Sequence, residues 1–300
     1  MTINLQHGLV IDNRYSLLHH LGTGGCASVW LANDLQHNNK CAIKIMSNGD
    51  QKRFHREVLI MRALTHENIV ACIDGGKDKT CCFAVLEVVD GGSLADMINE
   101  PRNFSPIEAA WVVLQAVRGL KKTGVVHRDL KPANLMIKKG SKGNGLECIV
   151  NNTSEGFTVK VADFGLAKSF EDKQNFTHTQ EIMGTPSYMS PEQCRSTRDA
   201  KVESDIYSMG TILYELVTGK PPFTGGNVYE TIKMQIEAQP YYPGWFSGKL
   251  KPIVEKCLQK KASDRYRSWG ALEADLNKVL GIEQPSFWKR LFGGSNAAVA

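Results

Sequence analysis

The spacing of hydrophobic and polar residues changes partway along this 300-residue chain. Before residue 90, short apolar runs rich in β-branched and aromatic residues alternate with turn residues, and one stretch has helical spacing. Such runs predict strands at residues 29–31, 41–45 and 83–86 and a helix at 53–64. The pattern therefore predicts a small sheet that carries one main helix.

After Asp90, Gly91 and Gly92, the apolar residues recur at helical spacing. The predicted helices cover residues 107–121, 205–218, 228–237, 250–258 and 270–280. We therefore expect an α+β protein with two lobes, a small β-rich N-lobe at about 15–89 and a larger, mainly α C-lobe at about 90–280. The glycine pair permits the lobes to change their relative orientation, and a ligand is expected in the cleft between them.

Three segments lie outside this two-lobed pattern. Residues 1–14 form an N-terminal extension, and residues 281–300 form a C-terminal tail. Turn residues dominate the segment at about 139–157, which predicts an extended hairpin insertion within the C-lobe. For this insertion, surface decoration is favoured over a docking site.

The composition is that of an ordinary soluble globular protein, with 42% hydrophobic and 22% charged residues. The net charge is +5, but the basic residues are dispersed among 31 acidic ones, so we do not expect nucleic acid as a partner. No apolar run approaches the ~18 residues that span a bilayer.

The cysteines and the first residues bear on the compartment. None of the eight cysteines belongs to a CxxC pair or clusters with histidine, which disfavours zinc and a disulfide framework and favours a reducing compartment. The first five residues also lack the basic region of a signal peptide. We therefore expect a cytoplasmic protein.

Two motifs concentrate the candidate chemistry. Residues 127–134 read HRDLKPAN, and residues 163–165 read DFG. Either tripeptide, HRD or DFG, can arise by chance, but eight consecutive residues followed by the second motif are specific. In chain order they supply a base, a cation and two oxygen ligands for a metal, a combination typical of phosphoryl transfer.

With these motifs, the chain resembles the eukaryotic-like Ser/Thr protein kinases. The spacing of Thr177 and Thr179 ahead of Gly184 and Thr185 resembles the bacterial members of that family. The resemblance implies the two-lobed kinase fold and transfer of the γ-phosphoryl group of ATP to Ser or Thr hydroxyls of protein substrates. Asp129 would orient the acceptor hydroxyl and take its proton. Lys131 would stabilise negative charge on the transferring phosphoryl group, and a lysine at this position resembles Ser/Thr kinases and not Tyr kinases. Asn134 and Asp163 would bind Mg²⁺, with Mn²⁺ as the alternative ion.

A glycine-rich segment between two predicted strands is the expected phosphate-covering loop. Its glycines let backbone N–H groups approach phosphate oxygens without a Cβ clash. Ala27 stands where the family has its third glycine, which is a departure from the pattern. The loop comprises Leu21, Gly22, Thr23, Gly24, Gly25, Cys26, Ala27, Ser28 and Val29.

The remaining nucleotide contacts follow from the resemblance. Lys44, in the sequence AIK, would bind the α- and β-phosphates, and Glu57 of the predicted helix would orient it. Leu86 would be the gatekeeper next to the adenine. Val29, Ala42 and Met136 would sandwich the adenine ring, and the backbone of Glu87 and Val89 would bind its edge.

The segment after DFG resembles a kinase activation segment that ends in SPE at residues 190–192. We predict autophosphorylation at Thr177 and Thr179, because Arg128 beside the catalytic aspartate would pair with a phosphothreonine. Thr185 would instead contact Asp129 and Lys131 and shape the acceptor pocket.

Two further residues have expected structural roles. Asp205 would begin a C-lobe helix and cap its N-terminus. It would also brace the backbone of the catalytic loop, which is the HRDLKPAN segment at residues 127–134. Arg265 would form a buried ion pair with Glu192 of the SPE motif, as in the family.

Two other functions remain open. A pseudokinase scaffold would keep the nucleotide pocket without turnover, although Lys44, Glu57, Asp129, Asn134 and Asp163 are all present. A small-molecule kinase would not need Lys131 or the SPE segment.

The tail sequence SFWKRLF at 286–292 resembles an interfacial segment, but a disordered or locally packed tail is favoured over membrane contact. The sequence does not indicate the physiological substrate or the oligomeric state.

Overall fold

The fold is described from a computed structural model of the chain. The structure describes residues 4–24, 27–46, 51–78, 81–100, 104–141, 156–164, 186–196 and 199–282.

The N-lobe is built on an antiparallel sheet of six strands with one helix packed against it. The strand order is β1-β2-β3-β4-β6-β5. The strands are β1 (Val10–Ile11), β2 (Tyr15–Gly24), β3 (Ala27–Asp34), β4 (Asn39–Met46), β5 (Cys72–Lys77) and β6 (Cys82–Leu86). Helix α1 (Gln51–Ala63) lies between β4 and β5 in the chain.

Among its described residues, the N-lobe has two apolar clusters. One includes Ile11 and Tyr15, so the short strand β1 belongs to the N-lobe sheet and its core. The other lies between α1 and the sheet and includes Phe54 and Val58. A Cβ at Gly75 would meet Val58 Cγ1 at 2.5 Å, so the absence of a side chain there allows α1 to pack closely on β5.

The C-lobe contains seven α-helices within the described ranges and a two-stranded antiparallel hairpin. The helices are α2 (Leu94–Ile98), α3 (Pro106–Thr123), α4 (Pro191–Arg195), α5 (Val202–Thr218), α6 (Val228–Glu237), α7 (Lys251–Cys257) and α8 (Trp269–Leu280). The hairpin strands are β7 (Leu135–Ser141) and β8 (Gly156–Val161). Most residues of α3 and α5 are buried, so these two helices form the centre of the lobe.

Local sequence signals explain where several of these helices begin and end. Ser105 caps α3 by accepting a hydrogen bond from the N–H of Glu108, and the Glu108 carboxylate accepts one from the Ser105 N–H. Ser190 and Gln193 form the same reciprocal arrangement at α4. Helix α5 is followed by Gly219 at φ +80°, a left-handed conformation that glycine adopts without steric cost.

The structure confirms the predicted two-lobed α+β architecture, and it corrects one local prediction. Helix α5 begins at Val202, so Asp205 does not open it and does not cap it; it lies within the first turn. Strands β7 and β8 form a hairpin whose last described pairs, Lys139 with Phe157 and Ser141 with Gly156, fall within the bounds of the predicted hairpin insertion. Among the described residues, no helix is both long and apolar enough to cross a membrane.

Candidate active site

The catalytic loop is braced by Asp205, which lies buried in α5. Its carboxylate accepts hydrogen bonds from the backbone N–H of His127 at 2.6 Å and of Arg128 at 2.8 Å. Arg128 has φ +69°, an unfavourable value for a residue with a side chain, and these bonds help to hold it there. Burial raises the pKa of Asp205 to about 7, although the two N–H donors act in the opposite direction. The predicted brace is therefore confirmed.

His127 connects the catalytic loop to the strand that leads to Asp163. Its ring is buried, with Nδ1 3.3 Å from the Asp129 N–H and Nε2 2.9 Å from the Ala162 carbonyl oxygen. Since Nδ1 accepts a hydrogen bond, the ring proton is on Nε2, which donates to the carbonyl. The ring also packs 4.8 Å from that of Phe164, so the two motifs are assembled around one side chain.

Three predicted site residues meet in the catalytic loop. Lys131 Nζ lies 3.3 Å from Asp129 Oδ2. Asn134 is buried, and its Nδ2 donates to the Asp129 carbonyl oxygen at 2.7 Å and lies 3.4 Å from Asp129 Oδ2. The Asp129 carboxylate is thus held beside an ammonium and a carboxamide.

Asp163 lies two residues after the end of β8 and pairs with a lysine of the N-lobe. Lys44 Nζ lies 2.8 Å from Asp163 Oδ1, although the two residues are 119 positions apart. Asp163 has φ +53°, and its side chain is 46% exposed. Partial burial works to raise the pKa of Asp163, but Lys44 and the other nearby positive groups together outweigh it and hold the pKa below its ordinary value.

The predicted phosphate-covering loop forms the hairpin between β2 and β3. Gly22 pairs with Val29, Thr23 with Ser28 and Gly24 with Ala27, whereas Gly25 and Cys26 lie outside the described residues. A Cβ at Gly22 would meet no protein atom within 4 Å. Packing inside the protein therefore does not require glycine at this position. Leu21 is 51% exposed on the same hairpin.

The predicted adenine-binding residues lie where the two lobes connect. Ala42 pairs with Leu86, the predicted gatekeeper, across β4 and β6, and Met136 belongs to β7. The Glu87 N–H donates to the Ala71 carbonyl oxygen at 3.0 Å. Within the described part of the chain, the backbone hydrogen bonds do not use the Glu87 carbonyl or the Val89 N–H. These two groups can therefore bind the edge of a ligand.

The Glu87 side chain has a role that the sequence did not reveal. Its carboxylate lies 2.7 Å from Lys160 Nζ and 2.9 Å from Lys138 Nζ, and it accepts from the Ala71 N–H at 2.9 Å. Burial works to raise the pKa of Glu87, but these donors outweigh it and hold the pKa below its ordinary value. The connection between the lobes is thereby tied to the β7–β8 hairpin. The available signal was Lys160 itself, a charged residue inside the apolar strand β8.

The predicted pair between Glu192 and Arg265 is confirmed as a buried, bidentate ion pair. The guanidinium donates to the two carboxylate oxygens at 2.7 and 2.9 Å, and Arg265 has no exposed side-chain surface.

Gln193, which sequence reasoning missed as a site residue, donates from Nε2 to the Arg128 carbonyl oxygen at 3.0 Å. Its signal was the S-x-x-Q capping pattern that begins at Ser190.

Several predicted residues are outside what the structure describes. The backbone of Glu57 belongs to α1, but its side chain is not described, so its predicted contact with Lys44 stays a prediction. The same applies to Thr177, Thr179 and Thr185.

Comparison with known proteins agrees with this geometry. Residues 15–275 match the family model of the protein kinase domain. The serine/threonine-protein kinase PknB of Mycobacterium leprae is 32% identical over 292 residues, which is 92% of this chain and 44% of that protein. PknB of Mycobacterium tuberculosis is 34% identical over 293 residues, with coverage of 92% and 44%.

A further relative, PknB of Mycolicibacterium smegmatis, is 35% identical over 288 residues, which is 90% of this chain and 43% of that protein. The chain thus spans less than half the length of these curated relatives. They confirm the predicted resemblance to bacterial members. Since the family model covers most of the chain, the chain belongs to the protein kinase family.

Proposed function

We propose that this chain transfers the γ-phosphoryl group of ATP to Ser or Thr hydroxyls of protein substrates. One observation carries the proposal: the side chains of Lys131 and Asn134 contact Asp129 in the catalytic loop. The Asp163 carboxylate lies 2.8 Å from the Lys44 ammonium of the N-lobe. The names of the relatives, which are serine/threonine-protein kinases, support the choice of acceptor.

Asp129 is the residue that orients the acceptor hydroxyl and accepts its proton. The Asn134 amide and the His127 ring fix the backbone on both sides of it, so its carboxylate is held in place before an acceptor binds. Lys131 stabilises the negative charge on the transferring phosphoryl group.

Protein kinases use ATP and a divalent metal ion, and Asn134 and Asp163 fit such an ion. Asn134 donates from Nδ2 to the Asp129 carbonyl, so its remaining polar atom is Oδ1, a hard oxygen. Asp163 supplies carboxylate oxygens at a half-exposed position. We propose that the ion is Mg²⁺, with Mn²⁺ as the alternative. When bound, it neutralises charge on the phosphates.

The nucleotide would lie between the β2–β3 hairpin and the lobe connection. The hairpin backbone would cover the phosphates, Lys44 would bind the α- and β-phosphates, and Glu57 would orient Lys44. Val29, Ala42 and Met136 would enclose the adenine ring. The open surroundings of Gly22 support close approach of the loop to a phosphate.

We further propose that Thr177 and Thr179 are autophosphorylated and that Thr185 shapes the acceptor pocket. Arg128 is the proposed partner of a phosphothreonine. The cysteine pattern supports a cytoplasmic location for this kinase.

The test is incubation of the purified chain with Mg²⁺ and γ-labelled ATP, with and without myelin basic protein, followed by mapping of the phosphorylated residues. Asp129→Asn and Lys44→Met are the controls. We expect label on Ser or Thr that both substitutions abolish, and label on Thr177 and Thr179 of the kinase itself. Nucleotide binding without any transfer would instead identify a pseudokinase.

A further inference from the structure

The short segment Pro186–Tyr188 follows Thr185 directly in the chain, and the C-lobe helices hold it by side-chain hydrogen bonds. Gln235 Nε2 donates to the carbonyl oxygens of Pro186 at 3.1 Å and Ser187 at 2.6 Å. The Ser208 hydroxyl donates to the Tyr188 carbonyl oxygen at 2.7 Å. The carbonyls of Pro186 and Ser187, which follow Thr185 directly in the chain, therefore both accept from one glutamine amide.

Gln235 lies on α6 and is fully buried, so its amide must find its partners inside the protein. The Tyr207 hydroxyl donates to Gln235 Oε1 at 2.5 Å. That bond fixes which end of the amide faces the segment, because an amide oxygen cannot donate. The two donors of Nε2 are thereby directed at the carbonyls of Pro186 and Ser187.

The backbone of Gln235 is also held by hydrogen bonds from a side chain. Lys260 Nζ donates to the carbonyl oxygens of Gln235 at 2.7 Å and Met234 at 3.2 Å, near the C-terminal end of α6. The Lys260 ammonium also lies 3.9 Å from the centre of the Phe223 ring. A lysine at a helix C-terminus is electrostatically favourable. Gln235 is thus held by Lys260 at its backbone carbonyl and by Tyr207 at its side-chain oxygen.

We propose that Gln235 is a positioning residue for the protein acceptor, acting through the backbone of Pro186 and Ser187. The inference rests on the proposed kinase function, and it adds a determinant of acceptor binding on α6. Gln235 does not touch the reacting atoms. By fixing the segment that adjoins Thr185, it fixes how an acceptor hydroxyl approaches Asp129.

The described hydrogen bonds indicate that loss of the Gln235 amide affects the binding of the protein acceptor and not the binding of the nucleotide. Gln235 bonds to Pro186, Ser187, Tyr207 and Lys260, and none of its bonds among the described residues reaches Lys44 or the catalytic loop. Loss of its amide should therefore impair transfer to a protein more than it impairs reactions that require only nucleotide.

The test compares Gln235→Met with Thr231→Val in the full chain. Methionine keeps the length of the glutamine side chain but removes its donors. Thr231 is a buried polar residue of the same helix, and its hydroxyl accepts from Gly225 N–H and donates to the Asn227 carbonyl, so valine removes hydrogen bonds that lie away from Pro186–Tyr188.

Two reactions are measured for each variant at saturating Mg²⁺ and ATP: transfer to myelin basic protein and hydrolysis of ATP by water without an acceptor. We expect Gln235→Met to lower kcat/KM for the acceptor about 10- to 100-fold while ATP hydrolysis changes less than about twofold. Thr231→Val should leave the ratio of the two reactions unchanged. An equal fall of both reactions in Gln235→Met, or no fall of the transfer reaction, would overturn the proposal.

Failure of the proposed function is distinguishable from failure of this inference. If the unmodified chain neither transfers phosphate nor hydrolyses ATP, the proposed function has failed. Hydrogen–deuterium exchange of residues 186–196 then tests the positioning contact by itself. Faster exchange in Gln235→Met than in Thr231→Val supports the inference, and equal exchange contradicts it.

Discussion

At the scale of single residues, the buried pair between Glu192 and Arg265 is expected to contribute strongly to the free energy of unfolding. Glu192→Gln would leave the Arg265 guanidinium without a charged partner in a site with no solvent exposure of its side chain. Breaking such a pair typically costs about 3–5 kcal/mol. We expect the free energy of unfolding at pH 7, measured in urea, to fall by that order.

The pH dependence of this loss can be predicted from the direction of the pKa shift. Burial works to raise the pKa of Glu192, but Arg265 and Ser204 outweigh it and lower the pKa. A lowered folded pKa means that the stabilisation is present above the ordinary glutamate value of about 4.3 and is lost as pH falls through the folded value. The difference between the unmodified chain and Glu192→Gln should therefore shrink at acidic pH.

The exposed pair between Lys251 and Glu255 is the matched control, since both side chains are more than a third exposed. Glu255→Gln should cost no more than about 0.5 kcal/mol at pH 7. Equal losses for the two substitutions would show that burial does not set the strength of these pairs.

At the scale of elements, the packing of α5 on α7 depends on a missing side chain. A Cβ at Gly210 would collide with the Cβ of Cys257, which is itself buried. Gly210→Ala therefore requires the two helices to move apart, and overpacking of this kind costs about 1–3 kcal/mol. We expect a lower melting temperature by calorimetry.

Gly270→Ala in α8 provides the comparison, because its Cβ would meet other atoms only at ordinary contact distances of 3.7 Å or more. Alanine is favoured over glycine in helices by up to about 1 kcal/mol, so this substitution should be neutral or stabilising. A destabilising effect of similar size at both positions would contradict the packing argument.

The chemistry of the site could be predicted from sequence because HRDLKPAN, DFG and AIK are contiguous motifs. The contacts that hold the site could not, because they join residues far apart in the chain, such as Lys160 with Glu87 and Gln235 with Ser187. No local spacing encodes such a pair. The start of α5 was missed because Lys201, its N-cap, lacks the side-chain acceptor that marks helix starts.

At the scale of the whole molecule, the hairpin of β7 and β8 supports the connection between the two lobes. Its base is tied to the lobe connection, since Gly91 N–H donates to the Ile137 carbonyl at 2.7 Å and Lys138 pairs with Glu87. Its ladder continues to the pairing of Ser141 with Gly156. The support function therefore resides in the strands, whereas residues 142–155, which join them in the chain, lie outside the described residues.

This division predicts that residues 142–155 are dispensable for folding and for phosphoryl transfer. The ends of the ladder face each other at Ser141 and Gly156, so a two-residue Asn-Gly turn should close the hairpin. Shortening the loop lowers the entropy cost of closure, by up to about 1–2 kcal/mol. We expect the shortened chain to be at least as stable as the original and to phosphorylate myelin basic protein at an unchanged rate.

Replacing residues 142–155 with a Gly/Ser linker of equal length is the control, because it changes the sequence without shortening the loop. If both variants fold but lose transfer, the segment has a function in catalysis that surface decoration does not explain. If only the shortened chain is impaired, the hairpin needs the length of the connection, because the ladder ends are not positioned for a tight turn. Unchanged transfer in both would place the structural role of the hairpin in β7 and β8 alone.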